Sequence, residues 1–214
     1  MPNARPNILV LMTDQQRMDT ISAYGLNPTC RTPRIDELAG RGVRFNNAFT
    51  PTAICSPARA SFYTGLYPHK HGVTANGLCL KEGVRGINHY LEEAGSKLLP
   101  GLQFGLGPLN RPNHYEVYLK ERGLEIPTVS HSYVGTNPNN QAQEMFALHD
   151  GPVESSIEYF VAEETIRVLE QLSAGDRPFF LWGNFWGPHT PCLVPEPYFS
   201  IVRSGGYSCT PQLL

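Results

Sequence analysis

The sequence has little charge. Its 17 basic and 19 acidic residues make up 17% of the 214-residue chain, below the roughly one quarter of an average globular domain. The net charge of −2 gives no general electrostatic field that would hold nucleic acid or an anionic membrane. Because 41% of the residues are hydrophobic, the chain has enough apolar residues for a core. This balance excludes a disordered polyelectrolyte, and we expect neither nucleic acid nor membrane as a partner.

Long apolar runs are also missing near the start of the chain. The longest such run is Ile8 to Met12, far short of the ~20 residues that span a bilayer. The basic and apolar regions of a signal peptide are absent as well. The five cysteines form no CxxC pair, and an odd number without an export signal is typical of free thiols in a reducing compartment. The sequence therefore predicts a cytoplasmic protein.

The first third of the chain alternates apolar runs with a helical pattern. Residues 7–13 contain the continuous apolar run Ile8 to Met12, which predicts a strand buried on both faces. Thr32 followed by Pro33 predicts the start of a short helix, which Gly42 would end. Residues 43–49 are predicted to form a second strand.

The last third of the chain continues this alternation. Ser155 is predicted to cap a long helix with a helical apolar period, and Gly175 is predicted to stop it. Residues 179–185 form another apolar run, the third predicted strand, whereas residues 98–140 give no clear pattern. The alternation predicts an α/β layered domain with a largely parallel central sheet flanked by helices. We expect one domain over residues 1–214.

Two polar residues follow predicted strands directly. Asp14 comes after the first strand and His189 after the third, and ligands of open α/β sheets bind at the carboxyl ends of the strands. Each also has an ordinary structural interpretation: Asp14 as a helix cap or turn residue, His189 as a loop histidine bonded to the backbone. Position alone leaves both alternatives open.

The segment that starts at Cys55 carries the sharpest pattern. Pro57 near its start and Gly65 at its end bracket a short helix, which places Cys55 where helix N–H groups and the dipole favour an anion. Arg59 lies one turn further along and can return toward Cys55. A cysteine phosphatase is a poor match, because its loop needs a longer spacing between cysteine and arginine. A reactive thiol or a buried structural cysteine are the other interpretations.

These residues carry a resemblance to a known family. The stretch Cys55-Ser56-Pro57-Ala58-Arg59 resembles the sulfatase signature, in which Cys-x-Pro-x-Arg is recognised by a modifying enzyme that oxidises the cysteine to formylglycine. The signature continues over residues 64–73, and three further segments match in family order, so that roughly residues 5–95 and 155–199 are similar to sulfatases. These three segments are residues 6–17, 32–39 and 185–191.

The resemblance implies hydrolysis of sulfate esters. One hydroxyl of hydrated formylglycine at position 55 would attack sulfur while the ester alcohol leaves, and the second would expel sulfate by re-forming the aldehyde. A divalent cation, calcium in much of the family, would be bound by Asp14, Gln15 and residue 55. Arg59 would hold the formylglycine hydroxyl, and His189 would bind sulfate or assist the leaving group. The implied partners are a small-molecule or carbohydrate sulfate ester and the formylglycine-generating enzyme.

The sequence also departs from the family pattern. Sulfatases usually place a catalytic Lys and His where Gln103 and Gly105 stand here, and Glu196 is the only acid after His189. The further metal-binding carboxylate and the last lysine of the family are therefore not found. We expect the N-terminal part of a sulfatase with an incomplete fold, prone to self-association through unpaired strand edges. The alternatives are a catalytically incompetent truncated member, or a phosphonate or phosphate ester hydrolase.

Overall fold

The computed structural model describes residues 5–97, 114–136 and 141–204. Strands and helices alternate along this part of the chain. The strands are β1 Ile8–Met12, β2 Thr128–Thr136, β3 Ala142–Asp150, β4 Phe180–Asn184 and β5 Cys192–Pro195. The α-helices are α1 Pro33–Arg41, α2 Cys55–Thr64, α3 Pro68–His71, α4 Ile87–Glu93, α5 His114–Glu121, α6 Ile157–Ser173 and α7 Tyr198–Ser204. Short 3-10 turns cover Met18–Thr20, Ser22–Tyr24 and Val153–Ser155.

The chain divides into two compact units that interleave along the sequence. Within the described residues, unit 1 consists of residues 5–10, 32–97 and 168–182. Unit 2 consists of residues 11–31, 114–136, 141–167 and 183–204. Each unit is described by itself below. That both belong to a single domain over residues 1–214 stays a prediction.

Strands β1 and β4 form a two-stranded sheet. In unit 1 the Ile8 amide donates to the Phe179 carbonyl at 2.8 Å, and in unit 2 the Phe185 amide donates to the Met12 carbonyl at 2.7 Å. Both strands therefore run in the same direction. The expected burial of β1 on both faces is wrong, since Leu9 is 42% and Leu11 57% exposed. Successive side chains of a strand point to opposite faces, and among the described residues only one face of this strand is covered.

Unit 2 contains a three-stranded sheet in the order β2-β3-β5. Strand β2 pairs antiparallel with β3, from Thr128 opposite Asp150 to Thr136 opposite Ala142. Strand β5 pairs parallel with β3. None of these three strands was predicted from the sequence. The fold is nonetheless the predicted class, an α/β structure with parallel strand pairing and flanking helices.

The predicted strand over residues 43–49 is wrong. This segment has no strand structure, and Val43, Phe45 and Phe49 are 80%, 70% and 91% exposed. A strand requires a neighbour for its backbone hydrogen bonds, and within the described ranges no strand lies alongside this segment. Apolar composition alone therefore does not make it a strand.

The predicted helices are present, with one change at a helix start. Helix α1 begins at Pro33 after Thr32 and has Gly42 as its C-cap, as predicted. At α6 the capping residue is Ser156 rather than Ser155, because the Tyr159 amide donates to Ser156 Oγ at 3.2 Å. Within the described part of the chain, no helix is long and apolar enough to span a membrane.

The core of unit 2 lies between α5 and α6. Tyr118 and Phe160 pack edge to face with ring centroids 5.0 Å apart, and Leu119 is 2% exposed. Tyr115 donates its hydroxyl hydrogen to the Ser155 carbonyl at 2.5 Å. This core fixes the turn that leads from β3 into α6.

Candidate functional site

Cys55 is the first residue of α2, as predicted. Ile54 before it has an extended backbone, and Gly65 ends the helix in the left-handed conformation with a φ of 71°. The first amides of a helix have no partner within it, and the helix dipole adds a partial positive charge at this end. Residue 55 therefore lies where negative charge is stabilised. Arg59, one turn further along the same helix, is partly buried.

Asn76 contacts Cys55 and was not predicted from the sequence. Its Nδ2 lies 3.5 Å and its Oδ1 3.6 Å from Cys55 Sγ. The Oδ1 atom also accepts the Ser56 amide at 3.1 Å, so Asn76 caps α2 from outside the helix. It stands 21 residues after Cys55, and no local sequence pattern signals such a contact.

A buried histidine holds α3 against α2 in unit 1. His71 is fully buried, and its Nδ1 accepts the Val73 amide at 3.1 Å. Its Nε2 therefore carries the hydrogen of the neutral ring and donates to Ser61 Oγ at 2.9 Å. Burial, followed by the charges of His69 and Lys81, lowers the pKa of His71. The hydrogen bond between His71 and Ser61 joins α3 to α2, the helix that starts at Cys55.

In unit 2 the residues that follow β1 contact the loop that follows β4. Gln15 has a left-handed φ of 52°, which is uncommon for a residue other than glycine. Its Oε1 accepts the Thr190 amide at 3.3 Å. Asp14 precedes it and is partly buried. The structure thus joins two of the sequence motifs, although they lie 175 residues apart.

His189 has a defined tautomer in this loop. Its Nδ1 lies 2.6 Å from the Thr190 carbonyl oxygen, which can only accept, so Nδ1 carries a hydrogen. In the neutral ring Nε2 is then the acceptor. The Trp186 ring lies against the imidazole, with ring centroids 4.3 Å apart. These contacts fix the orientation of the ring.

The residues predicted to bind a cation do not form a complete site by themselves. Asp14 and Gln15 offer a carboxylate and an amide oxygen, which are suitable donors for calcium. Across residues 5–97, 114–136 and 141–204, however, no three His, Cys, Asp or Glu residues lie close enough together to hold a metal ion. Calcium takes about six to eight oxygen ligands, so the described residues do not fit a full calcium site.

Comparison with known proteins decides the family. The Sulfatase family model matches residues 6–212. The chain belongs to the sulfatase family. It is 28% identical over 207 residues to the uncharacterized sulfatase YidJ of Escherichia coli. The match covers 91% of this chain and 40% of that protein. It is also 26% identical over 230 residues to the N-acetylgalactosamine-6-sulfatase of Canis lupus familiaris, covering 94% of this chain and 43% of that enzyme.

A solved structure supports the same fold. The phosphonate monoester hydrolase of Agrobacterium radiobacter superposes with a TM-score of 0.70 at 28% sequence identity. The match covers 92% of this chain and 44% of that chain. The sulfatase chain thus spans less than half the length of these relatives.

Proposed function

We propose that the chain functions as a sulfuric ester hydrolase that uses a formylglycine made from Cys55 and a divalent cation. The observation that carries this proposal is the position of Cys55. It begins α2 within a Cys-x-Pro-x-Arg motif, in a chain that the sulfatase family model matches almost throughout. The name of the dog relative, an N-acetylgalactosamine-6-sulfatase, supports a carbohydrate sulfate ester as one candidate substrate class.

The hydrated aldehyde would supply two hydroxyls on one carbon, and the second hydroxyl would be needed to release sulfate. A thiol could not perform this release. The residues around position 55 would support that chemistry. The helix N-terminus stabilises negative charge there, and the guanidinium of Arg59 would hold the hydroxyl of residue 55. Asn76 would keep residue 55 in place through its bond to the Ser56 amide.

His189 is proposed to bind the sulfate group or to assist the leaving alcohol. Its Nδ1 hydrogen is donated to the Thr190 carbonyl, and this bond is retained whether the ring is neutral or protonated. The proton that the histidine gives or takes is therefore the one on Nε2. Trp186 keeps the ring from turning.

Asp14 and Gln15 are proposed as cation ligands, together with residue 55. The described residues do not complete a calcium site, so these three residues are proposed as part of the ligand set. Gln15 Oε1 already accepts the Thr190 amide but has a second lone pair for a cation.

Hydrolysis of phosphonate monoesters is the second candidate function. The structural match to the Agrobacterium radiobacter enzyme, with a TM-score of 0.70, favours it. Phosphonate and sulfate esters both present a tetrahedral centre with anionic oxygens. A site that stabilises negative charge at residue 55 would suit either ester.

Turnover of paired esters tests the proposal. The chain, co-expressed with a formylglycine-generating enzyme, is assayed with 4-nitrophenyl sulfate and 4-nitrophenyl phenylphosphonate, with and without calcium. Cys55→Ala is expected to abolish turnover, whereas Cys79→Ser, at an exposed cysteine, is the matched control. Preference for the phosphonate would favour the second candidate. Equal, negligible rates for the unsubstituted chain and Cys55→Ala would favour a catalytically incompetent member.

A further inference from the structure

Unit 2 contains a cavity of about 300 Å³ beside the loop that follows β4. The rings of Tyr115 and Trp186 line it, together with two prolines and the side chains of Ile157 and Leu193. Almost all of the surface that the walls present to the cavity is apolar. The cavity is therefore suited to an apolar ligand rather than to a charged or strongly hydrogen-bonding one.

The polar atoms of the lining residues are bonded elsewhere or buried in the wall. The Tyr115 hydroxyl donates to the Ser155 carbonyl at 2.5 Å. His149 is 3% exposed, and its Nδ1 is buried. The Glu158 carboxylate lies alongside Gly187, where an added Cβ would come within 2.9 Å of its Oε1. A molecule in the cavity would therefore contact almost only carbon.

Contacts within unit 2 hold the aromatic walls in place. The Tyr115 ring packs against Phe160 with centroids 5.6 Å apart, and the Trp186 ring lies 4.3 Å from the His189 ring. Leu193 lies on β5, which pairs with β3. Because these side chains are already ordered, a ligand would lose little free energy in fixing them. The cavity has the preformed, apolar character that is usual for a small-molecule site.

The volume and the apolar surface of the cavity define the chemistry of its ligand. An apolar cavity of about 150 Å³ stays dry and takes a single benzene ring, and this cavity has about twice that volume. A charged molecule or a sugar would lose its hydration without finding partners. Aromatic rings, in contrast, gain contacts with the rings of Tyr115 and Trp186. We propose that this cavity binds a neutral aromatic molecule of two fused rings.

The proposed aromatic site does not depend on ester hydrolysis. Cys55, Arg59, Asp14 and Gln15 do not line the cavity. Trp186 does line it, and the same ring lies against His189. A chain that hydrolyses no ester can still bind the aromatic molecule, so a direct binding measurement tests this proposal alone.

Equilibrium dialysis of the full chain against naphthalene at neutral pH is the test. Saturable binding of one molecule per chain is expected, with a dissociation constant of about 100 μM or tighter. Naphthalenesulfonate and naphthylmethylammonium, which carry an anion and a cation on the same rings, are dialysed in parallel. Both should bind at least about 10-fold more weakly, because their charges find no partner in the cavity.

Two variants that fill the cavity locate the binding. Ile157→Trp on α6 and Leu193→Trp on β5 place a larger side chain in the lining, and each should weaken naphthalene binding at least about 10-fold. Ile166→Trp is the matched control on the same helix as Ile157. Because Ile166 is 54% exposed and does not line the cavity, this variant should bind naphthalene as the unsubstituted chain does.

Three results would overturn the proposal. These are no saturable binding up to the solubility limit of naphthalene, equal affinity for naphthalene and either charged analogue, and an unchanged affinity in both filling variants. The first two use the unsubstituted chain, so they remain decisive even where Ile157→Trp and Leu193→Trp fail to fold.

Discussion

Asn76 caps the helix that Cys55 begins, with its side-chain amide within 3.6 Å of Cys55 Sγ and its Oδ1 accepting the Ser56 amide. The contact joins the first turn of α2 to a loop 21 residues later in the chain. The position of the proposed nucleophile therefore depends on a residue outside the Cys-x-Pro-x-Arg motif.

Asn76→Ala should lower the free energy of unfolding by about 1 kcal/mol, the usual cost of losing a helix cap. Asn76→Asp keeps an oxygen acceptor for the Ser56 amide and should lose less. Urea denaturation followed by circular dichroism measures both, with Asn47→Ala at an exposed site as control. Equal stability of Asn76→Ala and the unsubstituted chain would show that the cap contributes nothing.

Acid should destabilise the protein through His71. Burial, then the charges of His69 and Lys81, lowers the pKa of His71 in the folded chain, while the unfolded chain takes up this proton near roughly pH 6.5. Below that pH the unfolded state therefore binds more protons than the folded state. The free energy of unfolding is largest above that pH and falls as the pH drops toward the pKa of His71 in the folded chain.

Urea unfolding at about pH 7.5 and about pH 5.5 checks this slope. His71→Asn should be less stable at the higher pH, because Ser61 and Val73 lose their partner, and should show a shallower pH dependence. His131→Asn, at an exposed residue with a φ of 49° that asparagine tolerates, should retain the original slope. An unchanged slope in His71→Asn would assign the effect to other groups.

The isolated chain should bind calcium only weakly. Asp14 is the one carboxylate assigned to the cation, and no cluster of three ligand-type residues occurs in the described ranges. Calorimetry is expected to give a dissociation constant of about 1 mM or weaker, weakened further by Asp14→Asn. The control is Asp176→Asn at an exposed site. Sub-micromolar binding would mean that other residues of this chain complete the site.

The chain alone should self-associate. Leu9 and Leu11 are exposed on β1, and exposed apolar strands favour association. Size-exclusion chromatography with light scattering should detect oligomers, and the double substitution Leu9→Lys and Leu11→Lys should shift them toward monomer. Leu66→Lys, at an exposed leucine elsewhere, is the control. A monomer that unfolds cooperatively without any substitution would contradict this prediction.

Sequence reasoning succeeded where the signal was local. The Thr32-Pro33 start of α1 and the Gly65 end of α2 follow from backbone preferences of single residues. The position of Cys55 at a helix N-terminus was predicted in the same way. The apolar run of β4 was also predicted to be a strand, because a strand covered on both faces is recognised by a continuous apolar run rather than by an alternating pattern.

Features that depend on distant residues were missed. Strand β2 pairs with β3, and most of its residues are exposed. It therefore lacks the usual alternation of buried apolar and exposed polar residues. Residues 43–49 have strand-like composition but no neighbouring strand in the described structure. The contacts of Asn76 with Cys55 and of Gln15 with Thr190 join loops far apart in the sequence, and no local pattern encodes them.

Mass spectrometry of the peptide that contains residue 55 tests the central claim most directly, because both proposed hydrolytic activities require the aldehyde. After co-expression with a formylglycine-generating enzyme, the account predicts an aldehyde in place of the Cys55 thiol. Pro57→Ala and Arg59→Ala, which break the Cys-x-Pro-x-Arg motif, should retain the thiol. An unmodified Cys55 in the unsubstituted chain would contradict the assignment of this residue as the nucleophile precursor.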